Sequence, residues 1–223
     1  EIKDVAVKAI AGETIMLPET VNVTYNDGNK RSIHVTWDKE ALKKAVTNGV
    51  GTYVIEGVIE GGYTVKAHLQ ILPQNEILNP GFEDSDRSMW NIIYGNGTTP
   101  HTNYQEKVSD AKSGNYSLHF YSGTAVNFNI EQTITGLEPG YYNLSMFLQG
   151  GDAHNSEMFM YARSGDAEHK ITTSVNGWIN WSNPEIADIL VQDGTITIGA
   201  RLKADAGAWG TLDDFYLYRA ADR

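Results

Sequence analysis

Apolar and polar residues alternate along most of the chain, which is the pattern of β-strands that bury one face. The clearest run is Thr195–Leu202, in which every second residue from Ile196 onwards is apolar. Comparable runs, separated by Gly, Asn and Asp turns, predict strands at Val21–Tyr25, Ile33–Trp37, Thr52–Val58, Thr64–Ile71, Tyr116–Tyr121, Val126–Ile134, Tyr142–Leu148, Met158–Ala162, Glu185–Val191 and Asp213–Tyr218. Helical spacing is clearest in Asp38–Asn48, where Gly49 is expected to end the helix. The pattern predicts an all-β chain with one short helix.

The predicted strands form two groups, which are joined by the connector Leu72-Pro73-Gln74-Asn75. Residues 1–74 contain roughly six or seven short strands with frequent turn signals, which predicts a small Ig-like β-sandwich with Trp37 in its core. Residues 75–223 contain about eight to ten strands and no helix, which predicts a jelly-roll β-sandwich. The sequence therefore predicts two all-β domains, 1–74 and 75–223.

Charge and composition argue against several classes of function. The chain has 17 basic and 28 acidic residues, for a formal net charge of −11, and the second domain carries most of the excess acid. Such a charge repels phosphate backbones and anionic lipid, so we expect neither nucleic acid nor a membrane as a partner. The absence of cysteine excludes disulfides, thiolate metal sites and a cysteine nucleophile. Because the sequence has neither an initial Met nor a signal-like segment, we expect it to be part of a longer protein.

The sequence contains no recognisable catalytic motif. The G-x-S-x-G, H-E-x-x-H, G-x-x-x-x-G-K-S/T and G-x-G-x-x-G patterns are all absent, and the six histidines are scattered. Glycoside hydrolysis needs two carboxyl groups about 5–10 Å apart. Asp213 and Asp214 are consecutive in a predicted strand, so their side chains are expected on opposite faces. We therefore expect that the chain is not itself an enzyme.

The first domain resembles the group 4 bacterial Ig-like domains. The residues that carry the resemblance are Ala11-Gly12-Glu13, Leu17-Pro18, Val23-Thr24-Tyr25, Asp27-Gly28, Val35-Thr36-Trp37-Asp38 and Gly51-Thr52-Tyr53. The resemblance implies a domain that spaces and presents neighbouring catalytic or binding modules in secreted bacterial enzymes. It implies no chemistry of its own.

The second domain resembles the β-sandwich carbohydrate-binding modules of secreted glycoside hydrolases. Three segments carry this resemblance, namely Asn79-Pro80-Gly81-Phe82-Glu83, Ser113-Gly114-Asn115-Tyr116-Ser117-Leu118 and Leu212-Asp213-Asp214-Phe215. The resemblance implies a structural Ca²⁺ at one edge of the sandwich, and Ca²⁺ takes six to eight oxygen ligands. The ligands so implied are the side chains of Glu83 and Asp213 and the carbonyls of Gly81, Ser113, Tyr116 and Asp213. Alternatively, Glu83 and Asp213 cap turns.

The end of this domain resembles family 61 carbohydrate-binding modules more narrowly. The segments that carry this resemblance are Gly177-Trp178, Trp181 ahead of Asn183-Pro184, Gly194–Gly199 and Ala206–Phe215. The resemblance implies binding of β-1,4-galactan and a covalently linked catalytic domain, a family 53 endo-β-1,4-galactanase. It also implies a secreted, extracellular bacterial protein.

A sugar site needs an exposed aromatic ring that is surrounded by planar polar groups. We expect Trp209 to be the main stacking platform, because it lies in a loop of small residues that cannot bury it. Trp90 and Trp178 are interpreted as structural. The other candidate carbohydrate-binding residues are Trp181, Arg201, Gln149, His154, Arg163, Asp152 and Tyr94.

The function predicted from the sequence is therefore a monomeric, non-catalytic module that holds a parent galactanase against pectic galactan. One alternative keeps the class of module but changes the ligand to xylan, a β-glucan or another plant polysaccharide. A second alternative is a surface or spacer pair without affinity for glycans, and a third is a weak glycosidase.

Overall fold

The computed structural model describes residues 1–220. The chain divides into two compact units, the first being Glu1–Gln74 and the second beginning at Asn75. Both units are built from β-strands, which confirms the predicted all-β class. No helix in residues 1–220 is long and apolar enough to cross a lipid bilayer.

The first unit contains five strands and one helix, fewer strands than the six or seven that the turn signals predicted. The strands are β1 (Val5–Ile10), β2 (Thr20–Thr24), β3 (Lys30–Trp37), β4 (Gly51–Ile59) and β5 (Thr64–Leu72), with α1 (Lys39–Asn48) after β3 and a short 3₁₀ turn at Glu60–Gly62. They pair in the order β1-β5-β4-β3-β2, and β1 runs parallel to β5. The first half of β3 pairs with β2 and the second half with β4.

Local chemistry explains the helix and the aromatic core of this unit. Asp38 caps α1, because its side chain accepts hydrogen bonds from the backbone N–H groups of Glu40 and Ala41. Gly49 ends the helix with a φ of 76°, which glycine adopts at no steric cost. Trp37 packs against both apolar clusters of the unit, as predicted, and its indole N–H donates to the carbonyl of Pro18 at 2.8 Å.

The second unit contains eleven strands within residues 75–220. They are β6 (Asn91–Tyr94), β7 (Thr102–Glu106), β8 (Tyr116–Tyr121), β9 (Val126–Ile134), β10 (Gly140–Gly151), β11 (Glu157–Ser164), β12 (Ala167–Thr172), β13 (Gly177–Ser182), β14 (Glu185–Val191), β15 (Ile196–Ala204) and β16 (Trp209–Arg219). Strands β6, β7, β12 and β13 were not predicted. All four are short, and none of them contains a fully buried residue, so they lack the strong apolar signal of the central strands.

These strands form two sheets around one core. The front sheet has the order β13-β10-β16-β8-β7, with β14 also paired to β10, and the back sheet has the order β12-β11-β15-β9-β6. Alternate residues of both sheets point inward and form a single apolar cluster. Trp90 is buried in this cluster, as predicted. The remaining side chains of each sheet point away from the core and form two outer faces, which we name the front face and the back face.

Candidate functional site

The front face carries a row of polar side chains across four neighbouring strands. Cross-strand pairing aligns Gln149 with Thr211, Thr211 with His119, and His119 with Asn103. Residues that pair directly across antiparallel strands point to the same side of the sheet. Trp209 pairs with Tyr121 two residues further along β16 and β8, so both residues lie beside this row on the same face.

The indole of Trp209 lies against the backbone of the neighbouring strand. A Cβ atom added to Gly151, its cross-strand partner, would lie 3.0 Å from Cζ2 of the indole, so the ring occupies the space that a side chain would fill. The indole N–H donates to the Asp152 carboxylate at 2.9 Å, and Trp209 remains partly exposed. The sequence placed Trp209 in a loop, whereas in the structure it begins β16.

Gln149 is buried below this face, and its amide is fully engaged within the protein. Only 1% of the residue is exposed. Its Nε2 donates to Thr211 Oγ1 at 2.9 Å and to the carbonyl of Asp110 at 3.3 Å, and its Oε1 accepts from the backbone N–H of Ile179 at 2.6 Å. Gln149 was predicted to contact sugar, but in this structure it acts as a support for the face.

The hydrogen bond between His119 and Asn103 defines the tautomer of His119. Its Nδ1 lies 3.0 Å from Oδ1 of Asn103, which can only accept, so Nδ1 carries the proton and Nε2 is an acceptor. Burial lowers the pKa of His119, the charge of Asp110 opposes that shift, and Lys107 reinforces it. Near neutral pH the ring is therefore an uncharged hydrogen-bonding group on the front face.

Two further tryptophans lie on β13, at the edge of the front sheet. Trp178 is 55% exposed, which corrects its interpretation as a structural residue. Its indole N–H donates to Asp110 Oδ1 at 3.0 Å. Trp181 is partly buried and meets Phe147 edge-on, with ring centroids 6.3 Å apart.

The loop after β10 contributes Asp152 and His154 beside Trp209. Asp152 has a φ of 55°, and its carbonyl accepts a hydrogen bond from the N–H of His154 at 3.1 Å. The carbonyl of His154 accepts from the N–H of Asp205, in the loop that leads to Trp209. The structure therefore brings together five of the predicted sugar-binding residues on one sheet and its adjoining loop, namely Trp209, Trp181, Gln149, Asp152 and His154.

The other three predicted sugar-binding residues lie elsewhere. Arg163 and Arg201 are on the back face, where Arg163 pairs with Glu131 and Arg201 donates to Glu157 and to Asn129. Tyr94 ends β6 and packs against the core, with its hydroxyl 2.6 Å from Thr102 Oγ1. Arg201 is near Trp209 in sequence, but the turn between them carries the chain from one sheet to the other.

The predicted calcium ligands come together at another edge of the second unit. Glu83 Oε1 accepts hydrogen bonds from the N–H groups of Asn115 and Tyr116, both at 2.8 Å. Asp213 Oδ2 accepts from the N–H groups of Lys112, at 2.7 Å, and Ser113, at 3.4 Å. These bonds join the entry segment, the loop before β8 and the last strand.

Gly81 lies against both consecutive aspartates. A Cβ atom added to it would lie 3.1 Å from Asp214 Oδ1 and 3.3 Å from Asp213 Oδ1. The expectation that these side chains point to opposite faces is wrong. The pairing of β16 with β10 shifts register here and Asp214 has a φ of 46°, which are the features of a β-bulge.

The electrostatics of this cluster suit a cation. Burial and the neighbouring charge of Asp214 raise the pKa of Asp213 to about 7, and burial also raises the pKa of Asp214. No three acidic or histidine side chains within residues 1–220 are arranged to hold a metal ion. A metal here would therefore need backbone carbonyls as well, which agrees with the mixed ligand set that the resemblance implied. The oxygen-rich, acidic donors fit Ca²⁺.

Sequence reasoning missed several residues of the front face. His119 and Tyr121 lie on a strand whose bounds were predicted correctly, and the alternation of that strand already places them on one face with Ser117. Tyr121 is 54% exposed beside Trp209. No sequence pattern indicated Asp110, because its hydrogen bonds to the front face form only when the loop that contains it folds over the sheet.

Comparison with known proteins agrees with both predicted resemblances. Residues 2–63 match the family model described as bacterial Ig-like domain (group 4). A structure of TmCBM61 in complex with β-1,4-galactotriose is similar to this chain, with 29% sequence identity and a TM-score of 0.60. The alignment covers 66% of this chain and 99% of that module. Because the first unit is only a third of the chain, this similarity falls mainly on the second unit.

One more distant structure shares the fold, and a second is similar at a lower score. The enzymatically active domain of tailspike protein 4 from bacteriophage CBA120 has 13% identity and a TM-score of 0.53, covering 66% of this chain and 21% of that one. A xylan-binding domain of carbohydrate-binding module family 22 has 14% identity and a TM-score of 0.46, covering 67% and 97%. No curated protein matches the chain. The chain thus resembles a group 4 bacterial Ig-like domain followed by a β-sandwich carbohydrate-binding module of family 61, as the sequence predicted.

Proposed function

We propose that the second unit is a non-catalytic module that binds β-1,4-galactan on its front face. The observation that carries the proposal is the placement of Trp209, which is partly exposed, lies against Gly151 and is held at its edge by Asp152. The bond to Asp152 uses the edge of the indole and leaves a ring face to stack on a sugar. The similarity to a module whose structure contains β-1,4-galactotriose supports the choice of ligand.

The polar groups around this ring suit the hydroxyls of a pyranose. Asp152 can accept hydrogen bonds, Asn103 can donate and accept, and neutral His119 offers an acceptor nitrogen. Tyr121 adds a second exposed ring beside Trp209. An aromatic platform with a few fixed polar groups is the usual composition of a carbohydrate site.

We also propose that the module serves a secreted bacterial endo-β-1,4-galactanase as a monomeric unit. A linked catalytic domain would remain close to pectic galactan while the module is bound. Its effective concentration at the polysaccharide would rise without any chemistry in this chain. The match of residues 2–63 to an Ig-like domain of bacteria supports this modular setting.

The test is calorimetric titration of the chain with β-1,4-galactotriose. We expect binding by the unchanged chain and a loss of about 1–3 kcal/mol in Trp209→Ala, because stacking on the indole is removed. Tyr63→Ala is the matched control, since Tyr63 is an aromatic residue of the first unit that is 65% exposed. It should bind as the unchanged chain does.

Parallel titrations with xylan and β-glucan oligosaccharides separate the alternatives. Tighter binding to either one would reassign the ligand. If no glycan gives a heat of binding, the alternative of a surface or spacer pair that does not bind glycans is favoured. Release of reducing sugar by the chain would identify it as a glycosidase and would contradict a non-catalytic role.

We further propose that Ca²⁺ is bound by the side chains of Glu83 and Asp213 together with the carbonyls of Gly81, Ser113, Tyr116 and Asp213. The ion would neutralise buried carboxylates and join the two ends of the second unit. At a concentration of 100 times its Kd it would stabilise the folded unit by about 2.7 kcal/mol.

Differential scanning calorimetry in Ca²⁺ and in EGTA tests this site. We expect Ca²⁺ to raise the Tm of the second unit and to leave the first unit unchanged. Glu83→Gln keeps the shape of the side chain but removes its charge, so it should abolish the response. Equal Tm values in Ca²⁺ and EGTA would overturn the metal site.

A further inference from the structure

The chain contains three Asn-Gly dipeptides, and the structure gives them different surroundings. They are Asn48-Gly49, Asn96-Gly97 and Asn176-Gly177. In such a dipeptide the backbone nitrogen of the glycine can attack the side-chain amide carbon of the asparagine, because glycine has no side chain that shields its nitrogen. An intramolecular reaction depends on the geometry that its two groups can reach. Hydrogen bonds to the amide or to the glycine nitrogen therefore decide which dipeptide reacts.

Asn96-Gly97 lies in the segment between β6 and β7, and both residues are exposed. The turn around them is closed by the N–H of Thr98, which donates to the carbonyl of Gly95 at 3.1 Å. Within residues 1–220, neither the Asn96 amide nor the Gly97 N–H forms a hydrogen bond. Both reacting groups are therefore free to meet, and both are open to water.

Asn176-Gly177 is the same dipeptide, but its side-chain amide is held. The Asn176 Nδ2 donates to Ser182 Oγ at 3.1 Å, and Oδ1 accepts from the Ser174 hydroxyl at 3.3 Å. Gly177 begins β13 and pairs with Gly150. The amide must give up both hydrogen bonds before its carbon can be attacked.

In Asn48-Gly49 the attacking nitrogen is held instead. Gly49 ends α1, and its N–H donates to the carbonyls of Ala45 and Val46, at 3.1 and 3.2 Å. The nitrogen must lose this proton to react, and the end of the helix keeps it in place. Asn48 is exposed, so exposure alone does not distinguish it from Asn96.

We propose that Asn96 is the first site at which the folded chain deamidates, because its dipeptide alone leaves both reacting groups without a hydrogen bond within residues 1–220. The Gly97 nitrogen forms a bond to Asn96 Cγ and the bond from Cγ to Nδ2 breaks. The amide leaves as ammonia, with the proton that the Gly97 nitrogen loses. Water then adds to either carbonyl carbon of the cyclic imide and opens the ring to aspartate or isoaspartate. Neither residue belongs to the front face or to the proposed Ca²⁺ site, so the reaction is independent of glycan binding.

The products change this turn in two ways. Either product adds a negative charge to a chain whose formal net charge is already −11. Isoaspartate also adds one carbon to the backbone path between Gly95 and Thr98, so the hydrogen bond that closes the turn cannot keep its geometry. The turn joins β6 of the back sheet to β7 of the front sheet, so the change falls where the chain crosses between the sheets.

The experiment incubates the folded chain in warm, mildly alkaline buffer and maps its proteolytic peptides by mass spectrometry. Deamidation appears as the increase in mass from an amide to a carboxylic acid, and chromatography separates isoaspartate from aspartate. We expect Asn96 to react about tenfold faster than Asn48 and Asn176, because their hydrogen bonds must first break. In the chain unfolded by guanidinium, the three rates should be similar. Asn96→Gln should remove the change at this position, since the larger ring that glutamine must form closes much more slowly.

Ser182→Ala is the matched test of the cause. It removes the oxygen that accepts from the Asn176 amide, so the reaction at Asn176 should become several-fold faster while that at Asn96 stays the same. If Asn48 or Asn176 reacts as fast as Asn96 in the folded chain, the inference is wrong. An equal preference for Asn96 in the unfolded chain would also overturn it, because the neighbouring sequence rather than the hydrogen bonds would then set the order.

Discussion

On both the front face and the back face of the second unit, an aromatic side chain packs against a glycine of the neighbouring strand, but the two side chains differ in exposure. On the front face Trp209 covers Gly151, and on the back face Tyr161 covers Gly199. A Cβ atom added to either glycine would lie 3.0 Å or less from the ring. In both places a glycine lets an aromatic side chain lie close to the backbone of the sheet.

The two rings differ in what surrounds them. Tyr161 is only 3% exposed, and its hydroxyl donates to Glu131 at 2.7 Å and accepts from Asn129 at 3.2 Å. Burial raises the pKa of Tyr161. Arg163 lies over the ring, with its guanidinium carbon 5.1 Å from the ring centre, and pairs with Glu131. The polar groups of the back face therefore satisfy one another.

The front face instead leaves aromatic surface in contact with solvent. Tyr121 and Trp178 are each more than half exposed, and Trp209 is partly exposed. A glycine beneath an aromatic ring does not by itself identify a binding surface. What distinguishes the front face is that the indoles of Trp209 and Trp178 are each held by one edge bond, while the ring on the back face is enclosed by partners.

The largest effect that separates the faces is expected for Tyr161→Ala. Removing a buried aromatic side chain costs about 3–5 kcal/mol in the free energy of unfolding. Affinity for galactotriose should not change, because Tyr161 points away from the front face. Calorimetry and titration measure the two quantities. A loss of affinity in protein that is shown to be folded would contradict the division between faces.

A matched pair of glycine variants gives a smaller effect and a sharper test. In Gly199→Ala the new Cβ atom would lie 2.3 Å from the carbonyl oxygen of Ile130, so the backbone must shift. We expect a loss of stability of about 1–3 kcal/mol and unchanged affinity. In Gly151→Ala the close contact is with the ring of Trp209, which is partly exposed and can tilt.

Gly151→Ala should therefore weaken galactotriose binding, by up to about tenfold, and change stability by less than about 0.5 kcal/mol. Chemical denaturation and titration of both variants are the measurements. If Gly199→Ala weakens binding and Gly151→Ala does not, the back face is the sugar site.

The strands were predictable where alternation is strong. The bounds of β8, β9 and β14 in the structure are those that the pattern predicts. Their inward residues fill the core, so apolar periodicity carries the signal. Strands β12 and β13 are outermost in their sheets, and fewer of their residues are buried, so their pattern is weak.

Predicting the candidate site from sequence was harder, because it depends on which sheet each strand joins. Arg201 and Trp209 are close in sequence but lie on opposite sheets, whereas Trp209 and Tyr121 are distant in sequence and pair directly. The role of Gln149 depends on a bulge in β13, and no local pattern indicates which backbone N–H its side chain will bond. Long-range pairing of this kind cannot be read from residue spacing.

The smallest expected effect concerns pH and His119. Burial keeps the pKa of His119 below its ordinary value of about 6.5. The unfolded chain therefore binds this proton before the folded chain does as the pH falls. The stability that this neutral histidine contributes is present above about pH 6.5 and is lost as the pH falls through the pKa of the folded state.

Galactotriose affinity should be constant from pH 8 to about pH 6.5 and should decline only below that range, as the acceptor nitrogen of His119 is protonated. His119→Gln retains hydrogen-bonding capacity but does not titrate, so its affinity should lack this decline. The charges of Asp110 and Lys107 also affect the pKa of His119, and that of Lys107 lowers it. Lys107→Gln removes this charge, so the loss of affinity should begin at a higher pH. If the affinity of His119→Gln falls at acid pH as much as that of the unchanged chain, the titrating group is another residue. His119 would then not be one of the residues that bind the sugar.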